Sequence, residues 1–254
     1  MITKEELLRM REQRRTNLYY TEKEYLQYIF LHAIAKYGEA FIFKGGTCLR
    51  ICYGLQRASE DLDFNTILPI SKVREILQNC LKDYELLNIH HDVYVEKEYD
   101  GNKRFEVRFN GPLYNGSKES TNTLKLDFNK KKVKNIIVKV IPQIFSDVPL
   151  FTVVSLAEHE IFAEKLRALV SRGAPRDAYD VWILLQKKVK LDKSLIFEKF
   201  EEEQISTPKL KFPDEKVYMR DLKQLVEHVP PYAQVKEEVL AVVLPLLKYN
   251  SGTK

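Results

Sequence analysis

Apolar residues recur along this chain with two different periods, and the point where the period changes divides it into regions. Between Thr21 and Lys36, Tyr25, Ile29 and Ala33 return every four residues, which predicts an amphipathic helix with one buried face. Thr21 followed by Glu24 reads as a capping box at its start, and Gly38 as its stop. Residues 4–15 also have a helical pattern, but they are so heavily charged that an exposed arm is expected. Phe41-Ile42-Phe43 is a short apolar run of the kind found in a buried strand. Gly45-Gly46 turns it directly into a helix over Thr47 to Tyr53, which Gly54 closes. Leu62 to Asn65 predicts a second strand, and Ser71 to Leu87 a further helix.

Alternation then replaces the helical period. Val93 and Val95, then Phe105, Val107 and Phe109, alternate with polar residues on either side of Asp100-Gly101, a hairpin signal. Leu124 to Phe128 and Ile136 to Val140 read as two more strands, and His90-His91 as a loop. From Ser155 the pattern is helical to the end. Ser155 with Glu158 forms a second capping box, its helix runs to about Ser171, and Gly173-Ala174-Pro175 ends it before another helix opens at Pro175. The expectation is an α+β chain with a mixed lobe over residues 1–147 and a helical lobe over residues 148–254, without internal repeats.

Composition narrows the class. Hydrophobic residues at 44% and charged residues at 30% exclude a disordered or fibrous chain. A net charge of +5 favours a polyanionic partner such as a nucleotide or RNA. Cys48, Cys52 and Cys80 form no CxxC pair, so small buried residues in a reducing compartment are expected. The N-terminus is charged, without the apolar stretch of a signal peptide. The most apolar run, Val239 to Leu247, contains Pro245 and is too short to span a bilayer. A cytoplasmic protein with no membrane partner follows.

The candidate chemistry lies where strands meet helices. Gly45 and Gly46 leave backbone N–H groups open at a helix start, where they and the helix dipole suit a phosphate, and Thr47 adds a hydroxyl. Gly-Gly-Thr alone is also a common structural turn. Asp61 and Asp63 are two apart on a strand, so their carboxylates share a face while Leu62 and Phe64 point into the core. Two carboxylates flanked by apolar residues are expensive unless a cation such as Mg²⁺ offsets them. Asp127 interrupts another alternating strand. It either joins these carboxylates, as a ligand or a general base, or lies on a solvent face. Lys165 is a solvated helix residue on composition alone, and Arg176-Asp177-Ala178-Tyr179-Asp180 puts three charges in a helix's first turn, where Asp177 favours the dipole. The run Lys130 to Lys134 is either a basic patch for RNA or an ordinary loop.

Taken in order, these residues resemble a known family. Lys44-Gly45-Gly46-Thr47-Cys48-Leu49-Arg50, Tyr53-Gly54-Leu55 and Arg57-Ala58-Ser59-Glu60-Asp61-Leu62-Asp63-Phe64 closely resemble the AbiEii/AbiGii toxin family of nucleotidyltransferases. Glu164-Lys165-Leu166-Arg167-Ala168-Leu169 and Pro175-Arg176-Asp177-Ala178-Tyr179-Asp180 look like its second signature. The resemblance covers roughly residues 40–185, and Thr47 stands where many nucleotidyltransferases carry Ser.

The resemblance implies a DNA-polymerase-β-like minimal nucleotidyltransferase lobe with a mixed or antiparallel sheet, followed by a helical lobe. In that reading Gly45, Gly46 and Thr47 bind the phosphate of an NTP, and Asp61 and Asp63 hold Mg²⁺ with Asp127 as the candidate third ligand. Lys165 meets the triphosphate, and Asp177 or Asp180 completes the cleft. The implied role is a growth-inhibiting toxin of a toxin–antitoxin or abortive-infection system, with an antitoxin partner and an RNA acceptor such as a tRNA 3′ end. An antibiotic-modifying nucleotidyltransferase and a degenerate domain that only binds RNA or protein are the alternatives. A glycosyltransferase would leave Gly45-Gly46 unexplained.

Overall fold

The computed structural model describes residues 1–99 and 101–248; Asp100, half of the expected hairpin turn, lies outside them. The described chain divides into two units, Met1–Leu156 and Ala157–Lys254.

The first unit opens with α1 (Lys4–Arg14) and α2 (Leu18–Ala35), followed by β1 (Ile42–Lys44), α3 (Gly45–Tyr53), β2 (Leu62–Thr66) and α4 (Ile70–Leu86). Strands β3 (His90–Tyr99), β4 (Asn102–Asn110), β5 (Asn122–Lys130), β6 (Ile136–Ile141) and β7 (Phe151–Leu156) complete a seven-stranded sheet in the order β3-β4-β5-β2-β1-β7-β6. It is mixed: β2 is antiparallel to β1 and parallel to β5, and β1 is parallel to β7.

The pleat sorts residues by chemistry. Phe64 of β2 is in register with Phe128 of β5, and their rings stack with centroids 5.4 Å apart. Phe43 of β1 and Phe30 of α2 extend this aromatic layer, so α2 covers the apolar face. Residues one position out of phase, Asp63 and Asp127, project from the opposite face. The expected alternation is present from Leu62 onward, whereas Asp61, expected on the same strand, immediately precedes it.

Several local expectations are overturned. Thr21 and Glu24 do not form a capping box: Asn17 caps α2 by accepting from the Tyr20 N–H at 2.9 Å. The Thr21 hydroxyl donates to the Asn17 carbonyl, and Glu24 binds two arginines. Nor is α1 an exposed arm, because Leu7 and Met10 form a buried seam within the charged pattern, and Glu6 accepts from the Ser146 N–H. His90-His91 is not a loop but the start of β3, and the His91 ring lies near Tyr84 and Phe109. Ser155 does not cap the helix after it. It is a buried residue of β7, a strand that the helical reading of this region passed over. With Phe151 and Val153 it forms the buried half of a two-residue alternation.

In the second unit the described elements are all helices: α5 (Glu158–Ser171), α6 (Pro175–Gln186), α7 (Lys193–Glu202), α8 (Glu215–Leu222) and α9 (Tyr232–Lys248). Pro175 occupies the first turn of α6, where its missing N–H costs nothing. Lys199 of α7 and Glu160 of α5 form a buried ion pair at 2.5 Å. Among the described residues no helix is long and apolar enough to cross a membrane.

A buried polar centre in the first unit joins α1, α2 and α3. Glu24 accepts a two-point fork from Arg50 at 3.2 and 2.9 Å and also binds Arg14. Burial pushes the Glu24 carboxyl up, but the two guanidiniums outweigh it and the net shift is below the usual carboxylate range. Its contribution to stability is thus present above the unfolded carboxylate pKa of about 4.3 and is lost as pH falls through the lower folded value. Glu24→Gln leaves the Arg50 guanidinium buried without its counter-charge and is expected to cost about 3–5 kcal/mol in denaturant unfolding at neutral pH, with a weaker acid dependence than wild type.

Candidate functional site

The turn from β1 into α3 is built around missing side chains. Gly45 has φ +79°, a left-handed conformation, and a Cβ at this position would overlap the Asp63 carboxylate. At Gly46 a Cβ would lie 2.6 Å from Arg57 Nη2 and 2.9 Å from Ser59 Oγ. Lys44 pairs with Asp63 across the β1–β2 ladder, which brings the carboxylate beside the bend. Helix α3 has no side-chain cap, so its first-turn N–H groups lack the acceptor a capping residue would provide. The geometry therefore puts Asp63 directly against the glycine bend.

Asp61 immediately precedes β2 and is positioned through its backbone. The Thr47 hydroxyl donates to the Asp61 carbonyl at 2.5 Å and lies 2.9 Å from Ser59 Oγ. Gln27 donates to the Ser59 and Glu60 carbonyls at 3.0 and 2.9 Å, Arg50 to the Arg57 carbonyl at 2.9 Å, and Arg57 to the Ala58 carbonyl at 2.8 Å. Thr47 is fully buried, and its hydroxyl fastens this loop. Reading the sequence for chemistry missed Glu24, Gln27, Arg50 and Arg57 as positioning residues. Glu24, Gln27 and Arg50 are polar residues on helices among apolar neighbours, and Arg57 lies between α3 and β2; Arg50 and Arg57 also fall within the first signature.

Asp127 is in parallel register with Asp63, on the same face of the sheet and buried rather than on a solvent-facing strand end. Its carboxylate accepts a fork from Arg104, Nε to Oδ1 at 2.8 Å and Nη2 to Oδ2 at 2.9 Å, and a third bond from the Tyr99 hydroxyl at 3.2 Å. These bonds push the Arg104 pKa up, holding the guanidinium charged. Among the described residues no three acidic, histidine or cysteine side chains already converge as a metal-binding group. The donors on the carboxylate face are nevertheless the right kind. Asp61 and Asp63 are half-buried around fully buried Leu62, with Asp127 one strand away, an all-oxygen set that fits a hard divalent cation.

Within the second unit, Lys165, Asp177 and Asp180 share one cluster. Lys165 Nζ is 2.8 Å from Asp180 Oδ2 and 3.9 Å from Asp177 Oδ1, and both aspartates are fully buried. Arg172 donates a fork to Asp177 at 2.7 and 2.9 Å. Lys165 is therefore a mostly buried, paired residue rather than a solvated one. Lys130, Lys132 and Lys134 are exposed around the end of β5, and Cys48 is a buried residue whose thiol burial pushes well above its ordinary range.

Solved structures share this fold. MenT4, a nucleotidyltransferase toxin from Mycobacterium tuberculosis, superposes with a TM-score of 0.70 at 18% identity, covering 99% of this chain and 91% of its own. JHP933 from Helicobacter pylori gives a TM-score of 0.63 at 21% identity, covering 92% of this chain and 94% of its own. No curated protein matches the sequence significantly. The model of the family described as nucleotidyl transferase AbiEii toxin, Type IV TA system, matches residues 29–238, most of the chain and both signatures. With its glycine bend, its aspartate pair and that match, the chain belongs to the AbiEii family of nucleotidyltransferase toxins.

Proposed function

We propose that this nucleotidyltransferase transfers a nucleoside monophosphate from an NTP to a hydroxyl of RNA, with a tRNA 3′ end as the acceptor, in a Mg²⁺-dependent reaction. The acceptor oxygen bonds to the α-phosphorus as the bond to the β-phosphate oxygen breaks, and pyrophosphate leaves. The observation that carries this reading is the Asp63 carboxylate packed on Gly45, because it puts a carboxylate beside an uncapped helix start, as a metal-bound polyphosphate requires.

Asp61 and Asp63 would hold Mg²⁺, with Asp127 as third ligand or as the base that takes the acceptor proton. Bound there, the ion supplies neutralisation of phosphate charge. The amides of Gly45, Gly46 and Thr47 bind phosphate oxygens, and the absence of side chains at the two glycines lets them approach. The assignment of Lys165 to the triphosphate rests on the sequence resemblance; Asp180 and Asp177 hold its ammonium in one orientation. Asp177 and Asp180 then act on the nucleotide through that lysine. The rate gain comes from positioning and preorganised charge. Consumption of tRNA ends would arrest growth in the cytoplasm, and an antitoxin partner would relieve the arrest.

Incubation with each α-labelled NTP, total RNA and Mg²⁺ should label small RNA, and Asp63→Asn should lower the labelling by about a hundredfold or more. Labelling of the wild-type level by the Asn variant contradicts the assignment. Gly45→Ala and Gly54→Ala separate backbone strain from site damage, since both positions have left-handed φ but only Gly45 abuts Asp63. Gly54→Ala should lose about 1–2 kcal/mol of stability in unfolding experiments, and Gly45→Ala more, because its Cβ also displaces Asp63. Only Gly45→Ala should also lose most of its transfer activity. Induced expression should arrest growth with the wild-type chain and not with soluble Asp63→Asn.

A further inference from the structure

The ion pair on Asp127 has a consequence for how the carboxylate face is loaded. We propose that Arg104 and a divalent cation are alternative partners for the Asp127 carboxylate, so that the arginine holds this third carboxylate until a cation displaces it. The proposal rests on the reading that Asp61 and Asp63 hold that cation.

Register puts Asp127 within reach of such an ion. Paired residues on neighbouring strands share a face about 5 Å apart, and Asp63 and Asp127 are such a pair. Arg104 also lies within electrostatic reach of Asp61, and Tyr99 within that of Asp63, so both partners of Asp127 border the same cluster. Yet both Asp127 oxygens are engaged by Arg104, and Tyr99 takes a further lone pair. A carboxylate has about four such positions, and a guanidinium fork beside a divalent cation brings like charges together. With three of about four positions taken and a positive charge already in place, the fork and a divalent cation compete for this carboxylate.

Exposure indicates which partner gives way. The Asp127 side chain is 6% exposed and fixed in the middle of a strand, whereas Arg104 is 38% exposed at the end of a flexible stem. Arginine can swing into solvent without disturbing the sheet; aspartate cannot. A buried carboxylate with no counter-charge is unfavourable, so the arginine stabilises the cation-free protein and a cation can take its place.

Mn²⁺ titration of the full chain without nucleotide, read by electron paramagnetic resonance, tests this. Arg104→Gln should bind Mn²⁺ about tenfold more tightly than wild type, and Asp127→Asn in the same background should abolish the gain. Tyr99→Phe, which removes one hydrogen bond and leaves the ion pair, should tighten binding by about twofold and covers the case in which Arg104→Gln does not fold. Mn²⁺ should also raise the melting temperature of Arg104→Gln more than that of wild type. Unchanged or weaker Mn²⁺ binding in these single variants, or a gain that survives Asp127→Asn, overturns the proposal. Failure of the underlying reading shows separately, as Mn²⁺ binding that Asp63→Asn does not weaken.

Discussion

The register of β2 between β1 and β5 is the constraint on which the carboxylate face depends. Stacked Phe64 and Phe128 lock it from the apolar side, beneath α2. A slip of one residue would expose those rings and drive Asp63 into the core, so the hydrophobic layer that stabilises the sheet also selects the orientation of the acidic residues. Packing and chemistry are thus set by one alternation. That is why carboxylates can sit between Leu62 and Phe64 without weakening the strand.

A second layer of control acts through backbone carbonyls. Glu24 fixes Arg50, Arg50 fixes the Arg57 carbonyl, Gln27 holds the two residues before Asp61, and Thr47 holds Asp61 itself. Within the signature, Thr47, Arg50 and Arg57 thus spend their polar groups on backbone carbonyls and a buried carboxylate. Locking a loop with buried side chains is how a fold secures ångström-level placement of a reactive group. In the second unit the Lys165 cluster follows the same logic, with carboxylates orienting a cation.

Much of this was legible from residue order. The strand–glycine–helix turn, the alternation of Leu62, Asp63 and Phe64 and the hairpin strands follow from periods of two and 3.6, which local sterics enforce. What was not legible depended on long-range partners. Glu24 resembles a capping residue until Arg50, distant in sequence, claims it. Ser155 resembles a helix cap until β7 pairs with β1. The charge of residues 4–15 conceals Leu7 and Met10 because two buried positions are too few to show as a stripe. Asp127 was recognisable as unusual, but its fork from Arg104 depends on the β4–β5 register, which a single strand's pattern does not specify.

The proposed function requires the carboxylates of Asp61 and Asp63 and the amides at Gly45 to form one binding site for a metal-bound triphosphate. Anomalous diffraction from crystals grown with Mn²⁺ and a non-hydrolysable NTP tests it most directly. The expected result is a manganese peak between the two carboxylates, with phosphate density against the start of α3. A nucleotide bound with its metal on any other face of the sheet would contradict it.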